Sequence, residues 1–149
     1  MDEPLKIWYC DVCGKPINNL DEAMLIWRSE NDKDFDFKIV HQTTHLKKGC
    51  DIREYPYSAH VSEFLGDKGL TYLLSFLSLG KARKEKSYRS VKDMDEFVDL
   101  IRRFQIPYYE EARRYFQTPE TQELIEGTNE YYPYMPKILK RIIEVNTRS

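Results

Sequence analysis

The hydrophobic pattern changes its period a little over a third of the way along the chain. Between residues 5 and 55 the apolar positions form short, strand-length runs. Ala23-Met24-Leu25-Ile26-Trp27 is one such run. Phe35-Asp36-Phe37-Lys38-Ile39-Val40-His41 alternates, which puts Phe35, Phe37, Ile39 and His41 on one face of a strand. The polar stretch from Ser29 to Asp34 reads as the turn between them, so the pattern predicts a β-hairpin.

From residue 58 to 146 the spacing becomes helical. Ser58 to Leu65 predicts a short helix stopped near Gly66. Asp67 can cap the next helix, with Leu70, Leu73, Leu74 and Leu77 as its buried stripe and Gly80 as its stop. Asp93-Met94-Asp95-Glu96 resembles a capping box ahead of Phe97, Leu100, Ile101 and Phe104, spaced as one helical face. Pro107 suits the first turn of a helix through Phe116, and Thr118-Pro119 opens another that stops at Gly127. Pro136 opens the last, with Ile138, Leu139, Ile142 and Ile143 as its buried face.

The composition narrows the class. Leu, Ile, Val and Phe make up about a quarter of the 149 residues, enough for a core and above the level of disordered chains. A net charge of -2 disfavours a wholly basic nucleic-acid binder. The longest apolar stretch, around Leu70 to Leu79, is about half the ~20 residues a bilayer span needs, so no membrane association is expected. The start, Met1-Asp2-Glu3-Pro4, is acidic and does not read as a signal peptide. Three cysteines, two of them in a Cys-x-x-Cys, do not read as a secreted disulfide framework, and a cytoplasmic location is expected.

The strongest chemical signal is Cys10-Asp11-Val12-Cys13-Gly14-Lys15-Pro16. Two thiolates at this spacing can bind one ion if the backbone turns tightly, and a glycine after the second cysteine eases that turn. Cys50 offers a third thiolate, and His41 or His45 a fourth ligand, giving a Cys3His set suited to zinc. His45 lies in a short loop with Cys50 that closes cheaply. His41 ends the apolar face of a strand, where a rigid backbone can aim the ring, and it is preferred. Buried reduced cysteines without metal, or a redox pair, are the competing readings. The redox reading requires a helix N-terminus in a βαβ setting, and Pro16, Asn18 and Asn19 give no helical pattern there. A filled four-ligand site is closed to substrate and therefore structural. Lys15, Lys38, Lys47 and Lys48 are available to balance its charge.

Weaker signals lie elsewhere. Residues 81 to 92 carry six cations and one anion, including Lys81, Arg83, Lys84, Lys86 and Arg89 around Tyr88. Such a segment can contact nucleic-acid phosphates while the ring stacks on a base, or it can be a solvated link. Tyr131-Tyr132-Pro133-Tyr134 is a candidate for contact with a protein partner or a second copy. Asp32, Asp34 and Asp36 have the spacing of a calcium loop, but Phe37 and Thr43 stand where that loop needs Gly and Glu. No nucleophile-elbow, phosphate-loop or metalloprotease motif is present. An enzyme would have to use a spare histidine, His45 or His60.

Four blocks carry a resemblance. They are Cys10 to Ile17, Ile39-Val40-His41 leading to Gly49-Cys50-Asp51, Phe64 to Leu77, and Arg103 to Phe116. Together they resemble a family of uncharacterised bacterial proteins over most of residues 8 to 116. The resemblance implies a Cys/Cys/His/Cys metal site with His41 as the histidine, and it brings no activity. Gln42 stands where a second histidine often follows. The fold expected is α+β, a small zinc-bound, zinc-ribbon-like β-hairpin unit over residues 1–57 followed by about five α-helices over residues 58–149, packed as one domain. The function expected is a non-enzymatic interaction or regulatory protein with structural Zn2+. A nucleic-acid-binding module using residues 81–92 and an enzyme are the alternatives.

Overall fold

The computed structural model describes residues 4–85 and 90–148. It is an α+β protein, with two small sheets and five α-helices among the described residues. Strands β1 (Trp8–Tyr9) and β2 (Pro16–Ile17) pair antiparallel as a minimal ribbon. Strands β3 (Ala23–Glu30) and β4 (Lys33–His41) form the expected hairpin, longer than its apolar runs alone. Its turn is Asn31-Asp32, and both residues take positive φ, 54° and 63°. That is the two-residue geometry whose twist matches the flanking strands, and Asn and Asp tolerate it better than other side chains.

The hairpin sits in a four-stranded sheet of order β5-β3-β4-β6, completed by β5 (Tyr57–His60) and β6 (Ser90–Val91). The helix expected over 58–65 is therefore corrected. Its first residues pair with β3, and only Val61–Phe64 turns, as a 3-10 helix.

A bulge interrupts the hairpin between Ile26 and Arg28, opposite Asp36, whose φ is +56°. It breaks the alternation. Phe37 and Ile39 enter the core, whereas Phe35 stays outside it, under the Arg28 and Lys92 cations.

Helix α1 (Gly66–Ser75) packs on a different stripe from the one its leucines suggest. Gly69 and Leu73 are buried, while Leu70 and Leu74 face solvent. Gly69 explains the rotation, because a Cβ there would lie 1.9 Å from the Phe64 carbonyl carbon. The helix approaches closest where it has no side chain. Helix α2 (Met94–Gln105) is capped by Asp93, which accepts from the Glu96 N–H. The Glu96 carboxylate does not complete a capping box but accepts from the Asp36 N–H at the bulge.

Two apolar clusters result. One joins both sheets, α1 and α2 around Trp8, Leu25, Ile39, Phe64, Phe97 and Phe104. The other is built by α3 (Tyr109–Arg113), α4 (Pro119–Ile125) and α5 (Pro136–Thr147), with Ile138, Leu139, Ile142 and Ile143 buried as their spacing predicts. Tyr132 and Tyr134 pack against this second cluster and Arg102 lies over the Tyr134 ring, so within the tyrosine-rich loop it is Tyr131 that stands out into solvent. Among the described residues, no helix is long and apolar enough to cross a membrane.

Candidate metal centre

The ribbon β1–β2 is too short to hold itself by its ladder, and the turn between its strands is built around sulfur. The Cys10 N–H donates to the Lys15 carbonyl at 3.0 Å, and the Gly14 N–H to the Cys10 carbonyl at 2.9 Å. Gly14 takes φ +77°, which closes the turn without a Cβ conflict. The Val12 N–H points at Cys10 Sγ, 3.4 Å away. Trp8 and Ile17, both 1% exposed, anchor the ribbon in the core.

His41 closes β4 beside this turn. Its Nε2 donates to the Pro16 carbonyl at 3.2 Å, since a carbonyl can only accept. That bond fixes the tautomer and leaves the Nδ1 lone pair facing Cys13 Sγ at 3.5 Å and Cys50 Sγ at 3.8 Å.

Cys50 is brought in by the loop after β4. Its N–H donates to the His41 carbonyl at 2.7 Å. Thr43 braces the loop by accepting from the Gly49 N–H. Gly49 is required for a steric reason, because a Cβ there would lie 2.4 Å from the His41 carbonyl oxygen.

The ligand atoms of Cys10, Cys13, His41 and Cys50 all lie within 4.8 Å of one another, and the group can hold a metal ion. All three cysteines are free thiols. The Lys15 N–H, above all, lowers the pKa of Cys13. Burial, followed by the neighbouring Cys10 and Cys13 sulfurs, pushes Cys50 up to about 12. Crowded thiols of this kind ionise together only when a cation shares their charge.

A cavity of about 250 Å3 adjoins the cluster, lined by Cys13, His41 and Cys50 together with Lys15, Lys47 and Lys48. These three lysines are positioned to offset negative charge, whereas Lys38 is engaged with Asp36 at 3.4 Å. His45 is exposed on the loop and is not one of the four grouped ligands. His60 is exposed as well. Lys81, Arg83 and Lys84 are exposed and do not line the cavity, and Lys86 and Arg89 lie outside the described residues.

Sequence reasoning missed the group beneath the turn. Asp11, between the two cysteines, accepts the Ile39 N–H at 2.7 Å and Arg103 Nη1 at 2.7 Å on the same oxygen. Arg103, 3% exposed on α2, also makes a bidentate pair with Glu110 of α3 at 2.6 and 2.8 Å. Burial opposes the charge on this guanidinium, and the Glu110 and Asp11 carboxylates outweigh it, so the group is held charged. Glu110 accepts the Tyr9 N–H at 3.0 Å, and the Trp8 indole donates to the Arg103 carbonyl at 3.1 Å. The only hint in the sequence is an arginine between Leu100 and Phe104 on the buried stripe.

Comparison with protein-family models, curated proteins and solved structures gives no match for this chain. Its chemistry is therefore read from the donor set and the geometry.

Proposed function

We propose that the cluster binds one Zn2+ as a structural centre in a non-enzymatic interaction or regulatory protein of the bacterial cytoplasm. The observation that carries the reading is the convergence of three sulfurs and one imidazole nitrogen within 4.8 Å. Three thiolates and a neutral histidine are a usual closed zinc set, and they leave no position for water or substrate. The His41 hydrogen bond to Pro16 supplies the outer partner that metal-bound imidazoles normally have. The resemblance of four sequence blocks to uncharacterised bacterial proteins implies the same ligands. Zinc here stabilises a ribbon of two residue pairs, because binding free energy adds to folding free energy.

The test is metal analysis of protein purified without added metal, followed by chelation. The reading expects one zinc per chain and a lower thermal midpoint after chelation. Metal-free protein whose midpoint chelation leaves unchanged would overturn it. The nucleic-acid alternative is separated by a binding titration against salt, in which phosphate contacts through residues 81–92 would give a steep negative slope.

A further inference from the structure

The Cys/His cluster and the helical half are joined by one charge network, buried at Arg103 and Glu110 and partly exposed at Asp11. Asp11 is held on two sides. Its neighbours in sequence are the ligand Cys10 and the residue before the ligand Cys13, so the cysteine turn fixes its position. Its N–H donates to the Ile39 carbonyl at 2.8 Å, while its carboxylate takes the Ile39 N–H and the Arg103 guanidinium. Arg103 continues to Glu110, and Glu110 returns to the ribbon through the Tyr9 N–H. Arg114 adds a further contact, lying 3.8 Å from the Tyr9 ring centroid.

A buried guanidinium needs its N–H donors paired: if Asp11 leaves, Glu110 still balances the charge of Arg103, but Nη1 loses its carboxylate acceptor. One of those partners stands on a turn whose own ladder is only Trp8↔Ile17 and Tyr9↔Pro16. If the turn opens, Arg103 loses Asp11, and Glu110 loses Tyr9. The first turn of α3, where Glu110 sits, is attached to the ribbon through these same atoms.

We infer that metal occupancy of the cluster is coupled through Asp11, Arg103 and Glu110 to the docking of α2 and α3, so that metal loss loosens the helical half. This rests on the zinc reading above and goes beyond it. The metal centre becomes a point of control over helices that contribute none of its ligands, and Arg103 and Glu110 become positioning residues for a site on another element. Such coupling is reciprocal, so weakening the network must weaken the metal site by the same factor.

The experiment uses the full chain loaded with zinc. Zinc affinity is measured by competition with a chromogenic chelator for the unmodified protein, Arg103→Met and Glu110→Gln. Amide hydrogen exchange is followed with and without chelation. The inference expects each folded variant to bind zinc about tenfold more weakly, within the usual range of coupling between sites. It also expects chelation of the unmodified protein to raise exchange across residues 100–113 more than across 136–147. Variants that are folded and bind zinc within twofold of the unmodified protein overturn it. If neither variant folds, the exchange measurement decides alone, and unchanged exchange over 100–113 overturns the coupling. Failure of the unmodified protein to take up zinc is a distinct result, which removes the metal reading itself before any variant is made.

Discussion

The β3–β4 hairpin and the β1–β2 ribbon are both antiparallel turns, and they are held by different forces. The hairpin runs over eight and nine residues, with Leu25, Ile26, Phe37, Ile39 and Val40 in the core. Its ladder and its buried area suffice, and its turn needs only two residues with positive φ. The ribbon has two residue pairs and an exposed tip, with Val12 and Cys13 in solvent. Backbone pairing at that length cannot offset the entropy of ordering the turn. Trp8 and Ile17 anchor its base in the core, and what remains to hold the tip is the donor cluster above and the Asp11–Arg103 pair below. Where burial is plentiful the chain relies on apolar periodicity, and where it is scarce the chain relies on a few specific bonds.

Cys10→Ser should break this comparison most severely. It removes one of the four grouped donors, a side chain that is 3% exposed and lies in the core cluster. Metal content should fall to background, and the ribbon should lose its exchange protection while β3–β4 keeps most of its own. The expected destabilisation is about 3 kcal/mol or more in denaturant titration. Gly49→Ala should come next. Its methyl group meets main-chain atoms of His41 and Gln42 that cannot move independently of the ligand, so a loss of about 2 kcal/mol is expected, together with weaker metal retention. The same substitution with no effect on metal retention would mean that Cys50 is not placed by this loop.

On the hairpin side, Asp32→Gly should slightly stabilise the protein, by about 0.5 kcal/mol, since φ is 63° there and glycine carries no Cβ penalty. Metal content should not change, which would sharpen the separation between the two turns.

The smallest effect concerns Glu96, which supports the bulge in β4. Burial raises its pKa, and the nearby Asp36 charge adds to this while the Asp36 N–H opposes it. A raised carboxyl pKa in the fold favours the protonated form. That contribution to stability is therefore fully present below the ordinary glutamate range and is lost as pH rises through the raised value. Glu96→Gln keeps an acceptor for the Asp36 N–H and cannot ionise. Its thermal midpoint should lie slightly above that of the unmodified protein at pH 7, with the gap closing as pH falls toward 4. A gap independent of pH would show that Glu96 ionisation carries no cost at this position.

Much of this was legible in the sequence, for identifiable reasons. Helices α2 and α5 follow from period because each has one continuous buried face, and the hairpin follows from its two apolar runs, although the bulge moves Phe35 off the face that alternation gives it. The four donors were legible because thiols and imidazoles in this spacing have few other uses, and the strand pointed to His41 over His45. The stripe on α1 was misread because a glycine, which contributes no hydrophobicity, sets the face of closest approach. Strand β5 was misread because its four residues gain their identity from pairing with β3, far away in sequence. Arg103 was invisible as a partner of Asp11 because 92 residues separate them and only the fold brings them together.

The most direct measurement is X-ray absorption at the zinc edge on protein as purified. The account predicts a first shell of three sulfurs near 2.3 Å and one imidazole nitrogen near 2.0–2.1 Å. A shell dominated by oxygen, a sulfur count below three, or no edge at all would contradict it.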